Sequence, residues 1–239
     1  MNADVDVRVG RKIGDFFLQR LKDAKQRLWV MSPWVAAEYM DLVVSKKATG
    51  VDARVITTNS YVSGQKEALR RLIEGRTSIT KPENRNLMYV GIGLIIIGLI
   101  LGIYTKGVGF LLSIVGIVLY RVGMERKEKY WVSKLGDGNV KVFEYHPYHI
   151  VHAKIYVADD WVIMGSANFT ENGMRESIEG IVIMQSAELA TRVGEMMGGI
   201  KNDLNLRELS YDIVGKELDK PDLKSGRYKR HSTHRKHYY

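Results

Sequence analysis

Two apolar segments in the middle of the chain set the strongest limit on its fold. Residues 87–104 are apolar apart from glycine, a short polar turn follows, and residues 108–120 are apolar again. Because a bilayer core of about 30 Å needs roughly 20 helical residues for each crossing, the segments are just long enough when their flanks are included, over about 86–105 and 107–124. The pattern predicts a transmembrane α-helical hairpin over residues 87–124.

Small residues recur in both segments at a spacing of four. Gly98 and Gly102 in the first segment, and Gly109 and Ser113 in the second, would let two helices approach closely. Two alternatives stay open at this point. One is a buried core hairpin of a soluble protein, although it would need a shell that this chain cannot supply. The other is a re-entrant or interfacial hairpin, because the second segment is short.

Basic residues flank the hairpin, whereas its connecting turn holds Lys106 alone. The flanking residues are Arg76, Lys81, Arg85, Arg121, Arg126, Lys127 and Lys129. The positive-inside rule therefore predicts that both termini, and the soluble parts of the chain with them, are cytoplasmic.

The sequence on both sides of the hairpin alternates between helical and strand patterns. Before the hairpin, helices are predicted at about 9–25, 36–47 and 65–74, and strands at 27–32 and 51–58. After it, a short helix is predicted at 127–135, strands at 140–145, 151–157, 161–164 and 178–184, and a helix at 187–206. This order predicts an α/β fold with a parallel core in its first half.

The chain is strongly basic. Its 36 lysine and arginine residues against 27 acidic residues give a formal charge of +9, which favours polyanionic partners such as nucleic acid or anionic lipid surfaces. The absence of cysteine excludes disulfides and thiolate metal sites. From residue 216 onward the chain is polar and basic, which is typical of a solvated tail or of a contact with nucleic acid or anionic lipid.

One predicted strand concentrates reactive side chains. Residues 151–157 alternate, so His152, Lys154 and Tyr156 share one face. A return strand leads to a small polar loop at 165–168 beside it. An imidazole with an ammonium, a hydroxyl and a carboxamide supplies a nucleophile or acid–base group together with donors for an anion. This combination suits phosphoryl chemistry.

This stretch resembles the HKD motif of the phospholipase D superfamily. The resemblance rests on His152, Lys154, Asp159, Gly165, Ser166 and Asn168, with Glu179 downstream where the superfamily has an acid. Five residues, rather than the usual six, separate Asp159 from Gly165, which we interpret as a shorter hairpin turn.

The resemblance implies an α/β fold with a phospholipase D-like mixed sheet flanked by helices, here interrupted by the transmembrane hairpin. Residues 1–86 and 125–215 would form the two parts of that domain, and the second part carries the motif. Residues 87–124 would form the hairpin and residues 216–239 a basic C-terminal tail.

The resemblance also implies a mechanism. Sites of this superfamily are built from two HKD motifs, and the sequence has one, so a homodimer with two copies of His152 is expected. One His152 would attack phosphorus to form a phosphohistidine, and the other would protonate the leaving oxygen and then activate water. This scheme requires no cofactor and no metal ion.

The other motif residues would support the two histidines. Lys154 and Asn168 would bind the phosphate oxygens, and Ser166 would hold the loop or the phosphate. Glu179 would bind the second nitrogen of His152. Asp159 would bind loop backbone near the site rather than take part in the chemistry.

A metal site is an alternative use of the histidines. His146, His149 and His152 are spaced by three, which on a helix could place three ligands together. Pro147 and the strand pattern disfavour a helix there.

The motif indicates the reaction rather than the substrate, because the superfamily includes nucleases, phospholipases, phosphatidyltransferases and inactive scaffolds. A short, basic, single-motif chain resembles its small nuclease-like members. The expected function is therefore a membrane-anchored endonuclease that hydrolyses nucleic-acid phosphodiester bonds. A phospholipid hydrolase or phosphatidyltransferase is the alternative, since the hairpin would hold the site beside lipid headgroups. A non-catalytic nucleic-acid or membrane scaffold is the second alternative.

Overall fold

The computed structural model of the chain forms two compact units, one of residues 1–74 with 133–239 and one of residues 75–132. The structure describes residues 4–60, 64–105, 107–146, 150–200 and 206–221. The first unit contains an eight-stranded sheet with helices, and the second contains most of a two-stranded ribbon and two apolar helices.

The strands and helices are numbered in chain order. The strands are β1 (Asp4–Gly10), β2 (Arg27–Met31), β3 (Asp52–Thr58), β4 (Ile73–Lys81), β5 (Arg126–Ser133), β6 (Val140–Phe143), β7 (Lys154–Ala158), β8 (Trp161–Gly165), β9 (Glu179–Gln185) and β10 (Glu208–Leu209). The helices are α1 (Leu18–Asp23), α2 (Ala37–Ala48), α3 (Gln65–Leu72), α4 (Arg85–Tyr104), α5 (Phe110–Gly123), α6 (Ala187–Gly199) and α7 (Tyr211–Asp219). A 3-10 turn at Ile13–Phe16 precedes α1, and a π-helical turn at Asn172–Glu176 precedes β9.

The large sheet is mixed, with the order β1-β9-β8-β7-β2-β3-β6-β10. Strands β2, β3 and β6 are parallel to each other, and the other neighbouring pairs are antiparallel. The prediction of a mixed α/β sheet flanked by helices is confirmed. Its parallel part is limited to three strands, of which β2 and β3 come from the first half of the chain.

Apolar side chains cover the centre of the sheet on both faces. On one face, α6 packs against a cluster that includes Trp29, Val157 and Val162. On the other face, Tyr156 contacts the rings of Phe17 and Phe169, with centroids 5.2 Å apart in each pair. Because β7 carries both Tyr156 and Val157, the core fixes this strand from two sides.

One strand was predicted wrongly as a helix, and the end of another overlaps the start of a predicted helix. Residues 127–135, expected to be a helix, belong mostly to β5, which pairs with β4. The helix expected from residue 9 gives way to the edge strand β1. β5 is exposed along most of its length and its sequence does not alternate, so it lacks the pattern of a half-buried strand. β1 does alternate, with Val5, Val7 and Val9 between polar residues, but these valines are exposed.

The last described helix extends past the predicted start of the tail. Helix α7 passes through residue 216, where the basic tail was expected to begin, and it buries Val214 and Leu218. The burial of these apolar side chains within the first unit, rather than the polar composition of the helix, determines its structure. Residues 222–239 lie outside the described residues.

In the second unit, α4 and α5 contact each other through small residues. A Cβ placed on Gly98 would lie 2.4 Å from the backbone nitrogen of Ser113, and one placed on Gly116 would lie 2.5 Å from the carbonyl oxygen of Gly91. Ser113 Oγ donates a hydrogen bond to the carbonyl oxygen of Ile95 at 3.0 Å. The backbones of the two helices therefore touch, as the spacing of small residues predicts.

The apolar side chains of this helix pair point away from the contact. Ile103 and Leu111, for example, are 77% and 64% exposed, which is inconsistent with a buried core hairpin. In the described chain, α4 alone is long and apolar enough to cross a bilayer by length and composition. Helix α5, with 14 residues, is shorter than the roughly 20 residues of a full crossing.

Candidate functional site

Three antiparallel strands bring the predicted site residues to one edge of the sheet. Lys154, at the start of β7, is opposite Gly165 at the end of β8, and Gly165 is opposite Ile181 near the start of β9. Neighbouring strands run in opposite directions. The residues just before β7, just after β8 and at the start of β9 therefore meet at the same end.

His152 and Lys154 form the centre of the site. Lys154 Nζ lies 3.1 Å from Nδ1 and 3.0 Å from Nε2 of His152, and it donates a hydrogen bond to the carbonyl oxygen of His152 at 2.8 Å. Lys154 is buried, whereas His152 is exposed. The ammonium is thus held in place while the imidazole remains accessible to a substrate.

Both groups titrate away from their ordinary values. Burial lowers the pKa of His152, and the positive charge of Lys154 lowers it further. Burial also lowers the pKa of Lys154, with the carboxylate of Glu179 acting in the opposite direction. The lowered pKa of His152 favours the neutral imidazole near pH 7, which is the nucleophilic form.

Ser166 connects the loop after β8 to β9. Its hydroxyl donates to Oε2 of Glu179 and accepts from the backbone N–H of Gly180 at 3.0 Å. Its own N–H donates to the carbonyl oxygen of Gly180 at 2.9 Å. Within the described residues, the side-chain hydrogen bond of Glu179 is therefore to Ser166. Among the described residues, no hydrogen bond joins Glu179 to His152, and both ring nitrogens of His152 lie within 3.1 Å of Lys154 Nζ.

Asn168 lies in the same loop with an unpaired polar group. Its Oδ1 is buried and has no hydrogen-bond partner in the described part of the chain. Its backbone packs closely on Gly173, where an added Cβ would lie 2.5 Å from the carbonyl oxygen of Asn168. Leaving a buried polar group unpaired costs about 1–3 kcal/mol. The unpaired oxygen is an acceptor, so it would be satisfied by a donor rather than by a phosphate oxygen.

Trp34, in the loop after β2, is a neighbour of the site that the sequence patterns did not reveal. Its ring centroid lies 6.1 Å from that of His152, and the two rings are nearly perpendicular, at 87°. The signal available in the sequence was Pro33 at the end of a buried strand. It predicts where the strand stops but not what the following residue contacts.

Asp159 lies at the opposite end of β7, roughly 16 Å from Lys154 at the usual rise of a strand. Its carboxylate accepts hydrogen bonds from the backbone N–H groups of Lys25, Gln26 and Arg27, at distances from 2.7 to 3.2 Å. It binds loop backbone as expected, but the expectation that this loop lies near the site is wrong. The carboxylate instead joins the β7–β8 turn to the segment that precedes β2.

Two other polar features of the stretch do not add to the site. Tyr156 is buried, its hydroxyl donates to the carbonyl oxygen of Ala167 at 2.6 Å, and burial raises its pKa. Pro147 and His149, which bear on the alternative metal site, lie outside the described residues. Among the described residues, no group of three His, Cys, Asp or Glu side chains could hold a metal ion.

The backbone contacts of Asp159 predict a stability effect. We expect Asp159→Ala to lower the free energy of unfolding by about 1–3 kcal/mol, since three N–H groups lose their acceptor and alanine is strained at a φ of 51°. Burial would raise the pKa of Asp159, but these N–H groups outweigh it and the pKa lies below its ordinary value. The stabilisation is therefore present above about pH 4 and is lost as the pH falls through the lowered pKa.

Urea unfolding at pH 7 and at acidic pH measures this effect. Asp160→Ala, which removes the exposed carboxylate of the next residue in the same turn, is the matched control. If the two variants had equal free energies of unfolding at pH 7, the proposed contribution of Asp159 would be contradicted.

Comparison with protein families and solved structures agrees with this arrangement. The sequence model of the family described as cardiolipin synthase, PLD-like domain, matches residues 17–200. A comparison with curated proteins gave no match.

Among solved structures, the chain is similar to Nuc, a phospholipase D family member from Salmonella typhimurium. The identity is 16% and the TM-score 0.45, over 87% of this chain and 99% of Nuc. It is also similar to NucT from Helicobacter pylori, with 10% identity and a TM-score of 0.43, over 87% of this chain and 100% of NucT. Phosphatidylserine synthase from Haemophilus influenzae matches with 11% identity and a TM-score of 0.43, over 90% of this chain and 44% of that enzyme. These similarities are too distant to bear on the substrate.

The family match extends from α1 to α6 and includes every motif residue from His152 to Glu179. It covers well over half of the chain. The chain therefore belongs to the phospholipase D superfamily, whose members are phosphodiesterases and phosphotransferases, in the family described as cardiolipin synthase, PLD-like domain.

Proposed function

We propose that this protein is a membrane-anchored phosphodiesterase that hydrolyses nucleic acid at a site shared by two protomers. The observation that carries the proposal is the pairing of an exposed imidazole with a buried ammonium, His152 with Lys154. A neutral imidazole supplies the nucleophile, and a fixed positive charge beside it stabilises the anionic phosphoryl group during attack.

The reaction would proceed in two displacements. A nitrogen of His152 attacks phosphorus, a phosphorus–nitrogen bond forms, and the bond to the leaving oxygen breaks as that oxygen takes a proton from a second imidazole. The second imidazole then removes a proton from water, the water attacks phosphorus, and the phosphorus–nitrogen bond breaks to release His152. Lys154 and the amide of Asn168 would bind the non-bridging oxygens, and Ser166 would hold the loop through Glu179. The scheme needs no metal ion.

The second imidazole would come from another copy of the chain. The sequence contains one complete HKD motif, because the other His-x-Lys, at residues 234–236, has no aspartate or Gly-Ser-x-Asn after it. Within the described residues, His152 is the imidazole beside Lys154. An apolar strip at the same edge of the sheet, on the face opposite to Lys154, offers a contact surface. It follows one face of the sheet edge, where Val7 and Met164 both pair with Val182 and where Val9 pairs with Gly180, beside Ser166.

The exposure of this strip supports a protein contact. Val5, Val7 and Val9 are 54%, 64% and 77% exposed, although β1 is paired with β9 along its length. Exposed apolar rows of this kind usually mark interaction surfaces. A two-fold contact along the strip would bring two copies of the site edge together.

Nucleic acid is the preferred substrate because of charge. A formal charge of +9 on 239 residues favours a polyanion over a single headgroup, and phosphate contacts dominate the affinity of nucleic-acid-binding proteins. The basic segment at 227–236 adds to this charge.

The apolar helices α4 and α5 would insert into a membrane and tether the first unit to it. Their exposed apolar side chains and glycine-lined contact support insertion. The basic flanks would keep the termini and the site on the cytoplasmic side. Since α5 is short, a re-entrant hairpin and a full crossing are both compatible with this tether.

Phosphatidyl transfer or phospholipid hydrolysis is the second candidate. The description of the matching family includes cardiolipin synthase, and an inserted hairpin would give a site access to lipid headgroups. The same His152 chemistry would then act on a phospholipid, with an alcohol or water as acceptor.

A parallel turnover assay distinguishes these functions. Purified full-length protein in detergent with EDTA is given single- and double-stranded DNA, RNA, phosphatidylcholine and cardiolipin. We expect nucleic acid to be cleaved, and His152→Ala and Lys154→Met to reduce the rate by about 10³-fold or more, since both act on the reacting phosphate. Lys141→Met is the matched control, because its ammonium donates to the carbonyl oxygen of Gly198 in α6.

Each alternative has its own outcome in this assay. Turnover of lipid alone would replace the nuclease proposal with the second candidate. Nucleic acid bound but not cleaved, with no lipid turned over, would favour a non-catalytic scaffold. Activity lost in EDTA and restored by a divalent metal would contradict the proposed mechanism.

The apolar strip predicts how to disrupt the dimer. We expect Val7→Arg to produce monomers and to abolish most of the activity. Val7 is exposed in the single chain, so an arginine there would place an unpaired charge inside the proposed contact and separate the two copies of the site. Ile79→Arg, at a similarly exposed apolar residue of β4, is the matched control and should remain dimeric. Sedimentation in detergent measures the mass, and a Val7→Arg variant that remains dimeric and fully active would exclude this contact.

A further inference from the structure

The loop between β2 and α2 carries an aromatic ring to the side of the proposed nucleophile. Trp34 is partly exposed, and its ring lies edge-to-face with His152 at a centroid distance of 6.1 Å. Its indole N–H already donates to Ser60 Oγ at 3.1 Å. What Trp34 offers to a ligand at this site is therefore its apolar ring.

A network of buried hydrogen bonds fixes the loop through Pro33, the residue before Trp34. The carbonyl oxygen of Pro33 accepts from Thr58 Oγ1 at 2.8 Å and from Thr57 Oγ1 and Gln65 Nε2 at 3.3 Å. Gln65 also donates to the carbonyl oxygen of Thr58 at 2.7 Å. All three donors are buried. A single peptide oxygen thus accepts hydrogen bonds from three side chains of β3 and α3.

The loop is fixed on the other side as well. The backbone N–H of Val35 donates to Gln65 Oε1 at 2.8 Å. Ser32 Oγ donates to the carbonyl oxygen of Trp34 at 2.7 Å and accepts from the backbone N–H of Phe169 at 3.1 Å. The loop that carries Trp34 is therefore joined to the residue that follows Asn168.

A loop that only connected β2 to α2 would not require this many buried hydrogen bonds. Burying the polar groups of Ser32, Thr57 and Gln65 is unfavourable unless each is hydrogen-bonded, and their satisfied bonds make the loop rigid. A rigid loop positions Trp34 at the side of His152 before any ligand binds. Pre-organisation of this kind reduces the entropy lost on binding.

We propose that Trp34 is a stacking subsite for a nucleobase next to the scissile phosphate, and that Gln65 is a positioning residue for it. This inference rests on the proposed nuclease function and specifies how the substrate is recognised. Attack by His152 requires phosphorus about 3–3.5 Å from its nitrogen. The nucleoside attached to that phosphate must then pass close to the neighbouring indole. Aromatic rings stack on bases without regard to sequence, which suits a nuclease without strong sequence preference.

The test compares cleavage of single-stranded oligonucleotides that differ at one nucleotide. One oligonucleotide carries normal bases throughout, and the other carries an abasic residue beside a defined phosphate. We expect the wild-type protein to cleave that phosphate about 10- to 100-fold more slowly in the abasic oligonucleotide, the range expected for one stacked base. Trp34→Ala should lower cleavage of the normal oligonucleotide by a similar factor and remove the difference between the two substrates, whereas Trp34→Phe should retain most of it.

Two further variants separate stacking from folding. Trp161→Ala, at a partly exposed tryptophan in contact with Arg20 near the far end of β7, is the matched control and should retain the wild-type preference for the normal oligonucleotide. Gln65→Met removes hydrogen bonds that fix the loop but keeps the Trp34 side chain. It should therefore reduce the preference for the normal oligonucleotide and leave the rate of cleavage of the abasic oligonucleotide unchanged.

Binding without turnover gives an independent measurement. With His152→Ala as the background, an oligonucleotide containing 2-aminopurine should lose fluorescence on binding, and Trp34→Ala should remove this quenching. If Trp34→Ala slowed cleavage of both oligonucleotides equally and left the quenching unchanged, Trp34 would have a structural role only. That result would overturn the subsite. A wild-type protein that cleaves both at the same rate would overturn it too and leave the nuclease function standing. Turnover of phospholipid with no cleavage of either oligonucleotide would overturn both.

Discussion

The contact between a buried ammonium and an exposed imidazole is the interaction on which the rest of the site depends. Lys154 can be buried because its ammonium donates to the carbonyl oxygen of His152 and lies at hydrogen-bond distance from the ring, while Glu179 provides a negative charge nearby. Its position follows from the antiparallel register of β7, β8 and β9. The core residue Tyr156 fixes that register two residues further along the strand. The strand that carries Lys154 into the site is thus the same strand that the core holds in place.

Much of this arrangement could be predicted from the sequence, because it is local in the chain. The alternation over residues 151–157 places His152 and Lys154 together, and the small loop after β8 places Ser166 beside them. The partners of Gln65 and Glu179 could not be predicted, since they depend on tertiary contacts and on competition for the same hydrogen bonds. Strand β5 was mistaken for a helix for a related reason, because exposure on both faces leaves no periodic signal.

The chain combines two sets of physical requirements. The first unit follows the rules of a water-exposed α/β domain, with a buried apolar core and a hydrogen-bonded network of buried polar groups around Gln65. Helices α4 and α5 of the second unit show the opposite distribution, because their glycine and serine residues are buried and their large apolar side chains are exposed. Such a reversal is expected when lipid rather than water surrounds the helices. The proposed membrane tether accounts for this pattern together with the basic flanks of the hairpin.

The proposed mechanism depends on a covalent bond between His152 and phosphorus during turnover. Rapid acid-free quenching of the protein with a phosphodiester substrate in EDTA, followed by mass spectrometry of the peptide that contains His152, detects this bond. We expect an acid-labile phosphoryl adduct on His152 that accumulates before the steady state and is absent from His152→Ala. Turnover by the wild-type protein with no adduct, or with an adduct on a different residue, would contradict this mechanism.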